Sequence, residues 1–332
     1  MNSFLENLYK RAIDANKRVV LAEGFDKRVV KAAEMATKLG LAKISLLGNP
    51  DEIKANNPDV DLEGVDIIDF AKSEKIQEYA NVLYEIRKYK GMTEEQARYM
   101  VSSSPLYYGA VMVKVGDADG MVAGAVFSSG DVLRSALQVI KSAPGIKTVS
   151  SCFIMKLDDS FKYKKEDVMV FADCAVVPMP DAEQLSDIAI AASESAKNIA
   201  GIDPRIAMLS FSTRGSAKHE VVEKVQQATQ KVREKAPYLV VDGDLQLDAA
   251  IVESVAKQKA GDSKVAGRAN VLVFPNLEAG NIGYKIAQRF GNCEAYGPIM
   301  QGLDKPINDL SRGCIAEDVV SVIAITALQA NK

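Results

Sequence analysis

The sequence predicts an α/β protein with mainly parallel sheets, divided into two domains. Three observations carry that prediction. Short β-rich runs alternate with longer helical patterns along almost the whole chain, as parallel strands joined by crossover helices require. The alternation breaks once, at "PGIKTVSSCFIMKLDDSFKYKKEDVMVFADCAVV", where two apolar runs flank a charged connection and predict a β-hairpin or sheet edge. Several strands also run into small-polar-glycine turns that open a helix, and in such sheets the ligand loops lie at these strand ends.

In chain order, "RVVLAEG" reads as a strand, and "DKRVVKAAEMATKLG" as a helix that starts at Asp26 and stops at Gly40. "KISLLG" and "VDIID" are the next strands, and "SEKIQEYANVLYEIRKYKG" is a long helix. "DGMVAGAV" leads through "FSSGD" into the helix of "VLRSALQVIKSA". After the hairpin, "IAMLSF", "YLVVDG" and "NVLVFP" restore the alternation. The Pro-Gly turn and the hairpin place a second domain at residues 146–295. The first domain then comprises 1–145 with 296–332, and the apolar "VVSVIAITALQA" returns to it as a buried helix.

Composition narrows the function. The chain has 332 residues, 48% hydrophobic and 26% charged, which suits globular domains and excludes wholesale disorder. A net charge of −3 offers no general attraction for nucleic acid, so local Arg and Lys must hold any anionic ligand. Cys152, Cys174, Cys293 and Cys314 are scattered, without a CxxC pair, which argues against zinc and against a disulfide scaffold. The N-terminal stretch has no signal-peptide apolar core, and no run of about 18 apolar residues occurs. A soluble cytoplasmic protein is expected, with no membrane and no nucleic-acid partner.

No GxGxxG follows a strand, and no GxxxxGK[ST] occurs. A Ser-His-Asp triad would need His219, the single histidine, which reads as an exposed residue near the start of a charged helix. What recurs instead is the strand–turn–helix device. Ser128, Ser129 and Gly130 form one turn, with Arg134 a helical turn further on. Ser212, Thr213 and Gly215 form another, and Gly280, Asn281 and Gly283 a third, followed by Lys285 and Arg289. "LAEGFDKR" carries Lys27 and Arg28. Each turn alone is an ordinary helix cap. Together, at strand C-termini, they suggest a cleft for a ligand with several phosphates. Near the end, Ser311, Arg312 and Gly313 stand ahead of Asp318 and the last helix.

The stretches "FSSGDVLRSALQ", "FADCAVVP", "AMLSFSTRGSAKH", "VDGDLQLDAA", "ANVLVFPNLEAGNIGYKIAQR" and "YGPIMQGLDKPINDLSRGC" resemble, in order, the phosphate acetyltransferase (phosphotransacetylase) family of the short, single-module type. The family often has Thr at Ser129 and Asn at Val177 and Met179. The resemblance implies two three-layer α/β/α domains of the isocitrate/isopropylmalate dehydrogenase-like kind, a cleft between them, and a homodimer. It implies the reaction acetyl-CoA + phosphate = CoA + acetyl phosphate, with coenzyme A as a substrate and no cofactor or metal. By the same resemblance Asp318 takes the thiol proton, while Arg312 and Ser311 hold the acyl phosphate. The resemblance also has Arg87 and Arg134 complete the anion site and Arg28 meet the nucleotide phosphates. Ser128, Ser129 and Gly130, and Arg289, join the substrate-binding set from the strand–turn–helix pattern above.

The chemistry explains why these residue types are needed. A thiol near 8.5 and a model Asp near 3.9 differ by roughly 4–5 pKa units, about 6 kcal/mol against full proton transfer. Asp318 therefore needs a setting unlike bulk water, and the planar fork of Arg312 suits phosphate. Residue by residue, the plain alternatives are a helix-start carboxylate for Asp318 and a surface ion pair for Arg312. At the level of function the alternatives are a phosphate butyryltransferase or another short-chain acyltransferase, an NAD(P)-dependent decarboxylating dehydrogenase, and a non-catalytic CoA-binding module.

Overall fold

The computed structural model describes residues 3–331, which divide into two units, residues 3–144 with 303–331, and Gly145–Gly302. The first unit contributes β1 (Arg18–Leu21), β2 (Lys43–Leu47), β3 (Asp66–Ile68) and β4 (Gly120–Val122). The second contributes β5 (Ser150–Lys156), β6 (Val168–Ala172), β7 (Arg205–Leu209), β8 (Val240–Leu245), β9 (Val271–Val273) and β10 (Glu294–Gln301). The chain then adds β11 (Ile307–Asn308) to the first sheet.

That first sheet has the order β11-β4-β1-β2-β3, and every pairing is parallel. Its strands are short and apolar because both faces are covered. Val19, Val20, Leu21 and Ile307 are wholly buried. The terminal helix Ala316–Gln329 packs on β4 and β1 and against the helices Lys27–Lys38 and Ser3–Ala15. Its Val319–Ala327 stretch is buried throughout, as the apolar run predicts. In a parallel sheet all C-termini point one way, so the loops after β11, β4 and β1 are neighbours along one edge.

The second sheet has the order β10-β5-β6-β9-β7-β8. β5 and β6 form the expected antiparallel pair, and β6, β9, β7 and β8 run parallel. β10 was not anticipated, and the expected boundary at 295/296 falls inside it. All of it pairs with β5, apart from a register shift between Tyr296 and Ile299. Gly297 and Pro298 sit at that irregularity, so a Gly-Pro pair that reads as a strand breaker instead marks a bulge. The helices Glu94–Ser103 and Pro105–Val115 also went unpredicted; Thr93 caps the first with a reciprocal Thr93–Gln96 box.

Candidate active site on the loops after β1, β4 and β11

Just past β1, Glu23 is fully buried, and its carboxylate accepts four consecutive backbone N–H groups. Gly124 and Ala125 donate to Oε2 at 2.9 and 2.8 Å, and Val126 and Phe127 to Oε1 at 2.8 and 2.9 Å. The amides after β4 thus do face an anion, but the anion is the protein's own side chain. A buried carboxylate needs several donors to offset its desolvation, and here one side chain pins a whole loop. The second unit repeats the device. Asp173 accepts the amides of Ala175, Val176 and Val177, and Asp244 accepts that of Gly215. The contacts of Val177 to Asp173 are made by backbone, so they do not require Asn there.

The pinned loop delivers Ser128, Ser129 and Gly130. Ser128 is an N-cap: its Oγ accepts from the Asp131 amide at 3.2 Å and donates to the Asp131 carboxylate at 2.7 Å. Ser129 is exposed, and Asp309 is buried beneath the same loop, where a Cβ on Gly124 would lie 2.1 Å from its Oδ1. A side chain on Gly130 would meet only Ser128 Oγ, at 3.7 Å, so packing does not demand glycine there.

Arg28 bridges all three loops. Its Nη1 donates to the carbonyls of Arg312 at 2.8 Å and Cys314 at 3.0 Å, and its Nη2 to the carbonyl of Ala125 at 2.8 Å. Nε and Nη2 also hold Asp26, at 3.0 and 2.7 Å, and Asp26 in turn caps the helix that follows. These contacts engage all five N–H groups of a guanidinium, so none is left for the nucleotide phosphates it was expected to meet. Arg28→Ala is expected to lose about 2–4 kcal/mol by stranding three carbonyls, read as a Tm lowered by about 5 °C or more. Lysine cannot restore a fork of this shape, so Arg28→Lys should resemble the alanine variant.

The loop that Arg28 anchors is the Ser311–Cys314 turn. The Cys314 amide donates to the Ser311 carbonyl at 2.9 Å, and Ser311 Oγ accepts from the Gly313 amide at 3.3 Å. The Arg312 side chain is exposed and, among the described residues, makes no hydrogen bond or ion pair. One arginine is thus locked as scaffold, while its neighbour presents a free fork. Asp318, half-buried in the first turn of the last helix, accepts the Ile315 amide at 3.0 Å, which fixes its orientation. Cys314 lies near Arg28 and Asp318, but burial pushes its thiol up to about 11, and burial also raises Cys174. Neither is a ready nucleophile.

Arg87 and Arg134 lie on the helices Ile76–Arg87 and Ser129–Val139, which touch each other, and their charges act on the phenol of Tyr107. Burial raises that phenol's pKa and both arginines oppose the rise. Arg87 ends its helix with a buried Nε that has no partner among the described residues, while Arg134 pairs with Asp131 at 2.7 Å on the surface. Arg289 is exposed in the last turn of Leu277–Phe290, in the second unit. Gly280, in the same helix, is a packing glycine, because a Cβ there would lie 2.1 Å from the Asp173 carbonyl oxygen. His219 is exposed and caps its helix, accepting the Val221 amide at 3.3 Å. Glu23, Tyr107 and Asp309 were missed from sequence, since each gains its place only through a long-range contact.

A family model described as phosphate acetyl/butaryl transferase matches residues 3–327. The phosphate acetyltransferase of Acetivibrio thermocellus is 58% identical over 328 residues, covering 99% of this chain and 98% of the relative. A solved phosphotransacetylase from Streptococcus pyogenes has a TM-score of 0.92 at 43% identity, over 99% of each chain. A 4-hydroxythreonine-4-phosphate dehydrogenase from Klebsiella pneumoniae is 10% identical with a TM-score of 0.53, covering 96% of this chain and 100% of its own. At that identity the likeness is one of fold alone, and it fits the dehydrogenase-like architecture that was expected. With a model that spans nearly its whole length and a relative identical at more than half of its positions, the chain belongs to the phosphate acetyl/butaryl transferase family.

Proposed function

We propose that the protein is a phosphate acetyltransferase, moving an acetyl group reversibly between coenzyme A and inorganic phosphate by direct thiolate attack. The observation that carries this reading is the contrast at the Ser311–Cys314 turn. Arg28 is fully committed to holding the loop, while the Arg312 fork makes no hydrogen bond or ion pair among the described residues and the Asp318 carboxylate, six positions on, is oriented by the Ile315 amide. In the direction that forms acetyl-CoA, Arg312 binds the phosphoryl oxygens of acetyl phosphate, and Ser311 donates its hydroxyl to the same group. Asp318 removes the thiol proton, the sulfur attacks the carbonyl carbon, and the C–O bond to phosphate breaks. Arg312 then carries the charge that builds on the leaving oxygen. Arg87 and Arg134 supply further positive charge on the same unit for the anionic parts of coenzyme A. Coenzyme A enters and leaves as a substrate, and no cofactor or metal takes part.

We place the enzyme in the cytoplasm as a homodimer. The four free cysteines suit a reducing compartment. Ile282, Ile286 and Phe290, 58%, 52% and 87% exposed, recur every fourth residue along one helix and form an apolar stripe fit to meet a second copy.

The test is release of free thiol from acetyl-CoA on addition of inorganic phosphate, together with kcat/KM for acetyl and butyryl phosphate. Phosphate-dependent release is expected, with acetyl favoured by about tenfold or more. No release would refute the reading, and a preference for butyryl would move the substrate to the longer acyl group.

A further inference from the structure

Glu23, two residues past β1, stands at the head of a continuous run of hydrogen bonds that ends on the peptide of Arg312. Its buried carboxylate takes the Val126 amide at 2.8 Å, and the carbonyl of that same peptide, on Ala125, takes Arg28 Nη2 at 2.8 Å. A peptide unit is planar, so partners on its two opposite edges fix its orientation. Arg28 passes the constraint on. Its Nη1 donates to the Arg312 carbonyl at 2.8 Å, and the amide of that peptide, on Gly313, donates to Ser311 Oγ at 3.3 Å. A second route leaves Glu23 through its backbone. The Glu23 carbonyl accepts the Asp26 amide at 3.0 Å, and the Asp26 carboxylate holds Arg28 Nε and Nη2 at 3.0 and 2.7 Å.

The loop that Glu23 pins also braces the turn by direct packing. A Cβ on Gly124 would lie 2.7 Å from the Leu310 amide nitrogen and 3.1 Å from the Leu310 carbonyl oxygen, so backbone rests on backbone where the chain enters the turn. Ser311, Arg312 and Gly313 are exposed, and the turn therefore depends on these tethers and on its buried flanks, Leu310 and Cys314. A fork that must meet two phosphoryl oxygens at once tolerates a displacement of only about 0.5 Å. Misplacement by about 1 Å, from a change far from the chemistry, costs about a hundredfold in rate. We propose that Glu23 is a positioning residue for the transfer reaction, acting through the loop after β4 and Arg28 to aim the Arg312 fork at the acyl phosphate. The inference rests on the phosphate acetyltransferase reading above, in which Arg312 binds that group.

Glu23→Gln keeps the size of the side chain and only one of its two acceptor oxygens, so an NH2 group faces loop amides that need an acceptor. The experiment measures kcat and KM for acetyl phosphate and for CoA, in the direction that forms acetyl-CoA and well below the Tm of each protein. The proteins are wild type, Glu23→Gln, Arg312→Lys and the double variant. Glu23→Gln should lower kcat by about tenfold and raise KM for acetyl phosphate by about threefold or more, with KM for CoA within about twofold. In the Arg312→Lys background the same change should cost less than about threefold in kcat, because the fork it aims is already gone.

A merely structural carboxylate would lower Tm and leave the kinetics of the folded enzyme untouched, and that result would overturn the proposal. Equal losses in both backgrounds would overturn it too, since Glu23 would then act on something other than Arg312. If Glu23→Gln does not fold, Glu23→Asp carries the test, with both oxygens kept on a chain one methylene shorter. It should show the same pattern of constants, and kinetics identical to wild type would again overturn the proposal. If wild type itself makes no acetyl-CoA from acetyl phosphate, the functional reading falls and this inference falls with it. Normal wild-type turnover beside an unaltered Glu23 variant sinks the inference alone.

Discussion

Replacing Arg312 by lysine lowers kcat by about a hundredfold while Tm stays within about 2 °C of wild type. Both halves of this expectation come from the same geometry. The Arg312 side chain makes no hydrogen bond or ion pair among the described residues, so its loss breaks no contact that holds the fold. The contacts that seat the turn use its backbone carbonyl, held by Arg28 at 2.8 Å, and lysine keeps that carbonyl. Lysine also keeps the charge. What it loses is the rigid planar fork that meets two phosphoryl oxygens at once and follows the charge as it builds on the leaving oxygen. A kcat near that of wild type would mean that a point charge suffices there. A large fall in Tm would mean that Arg312 belongs to the scaffold, as Arg28 does.

The two neighbouring arginines show what a sequence can and cannot carry. "EGFDKR" and "NDLSRG" look alike as sources of positive charge at the start of a helix. Which of the two is available to a ligand depends on where five N–H groups go, and the partners of Arg28 lie up to 286 positions away in sequence. The turns after β1 and β4 were legible because local chemistry writes them: Asp26 and Ser128 each cap the helix that follows. The turn after β9 was misplaced, since Gly280, Asn281 and Gly283 lie inside the helix Leu277–Phe290, which Asn276 caps. The terminal helix was legible from its unbroken apolar run. β11 was not, since a strand of two residues leaves no periodicity to read. Glu23 and Asp309 were not legible either, because a carboxylate at a strand end looks like an ordinary turn residue until the tertiary fold buries it. Both lie beneath the loops of the candidate site, whose residues are proposed from the strand–turn–helix pattern and from the family resemblance.

In the proposed reaction Asp318, the carboxylate at the start of the last helix, takes the thiol proton. It also serves the helix start, where it accepts the Ile315 amide at 3.0 Å. Asparagine has a carbonyl oxygen of nearly the same shape and can accept that amide equally well, while it cannot remove a proton. Asp318→Asn therefore separates the helix-start role from the base. The expected loss is in kcat, by roughly 10²–10³, with KM for both substrates within about twofold, since the group acts on the proton and not on binding. The decisive measurement is kcat and KM of purified Asp318→Asn beside wild type, with Tm recorded for both. A collapsed kcat on unchanged KM and Tm is the result predicted here. A kcat close to wild type would contradict the account and send the thiol proton to another acceptor.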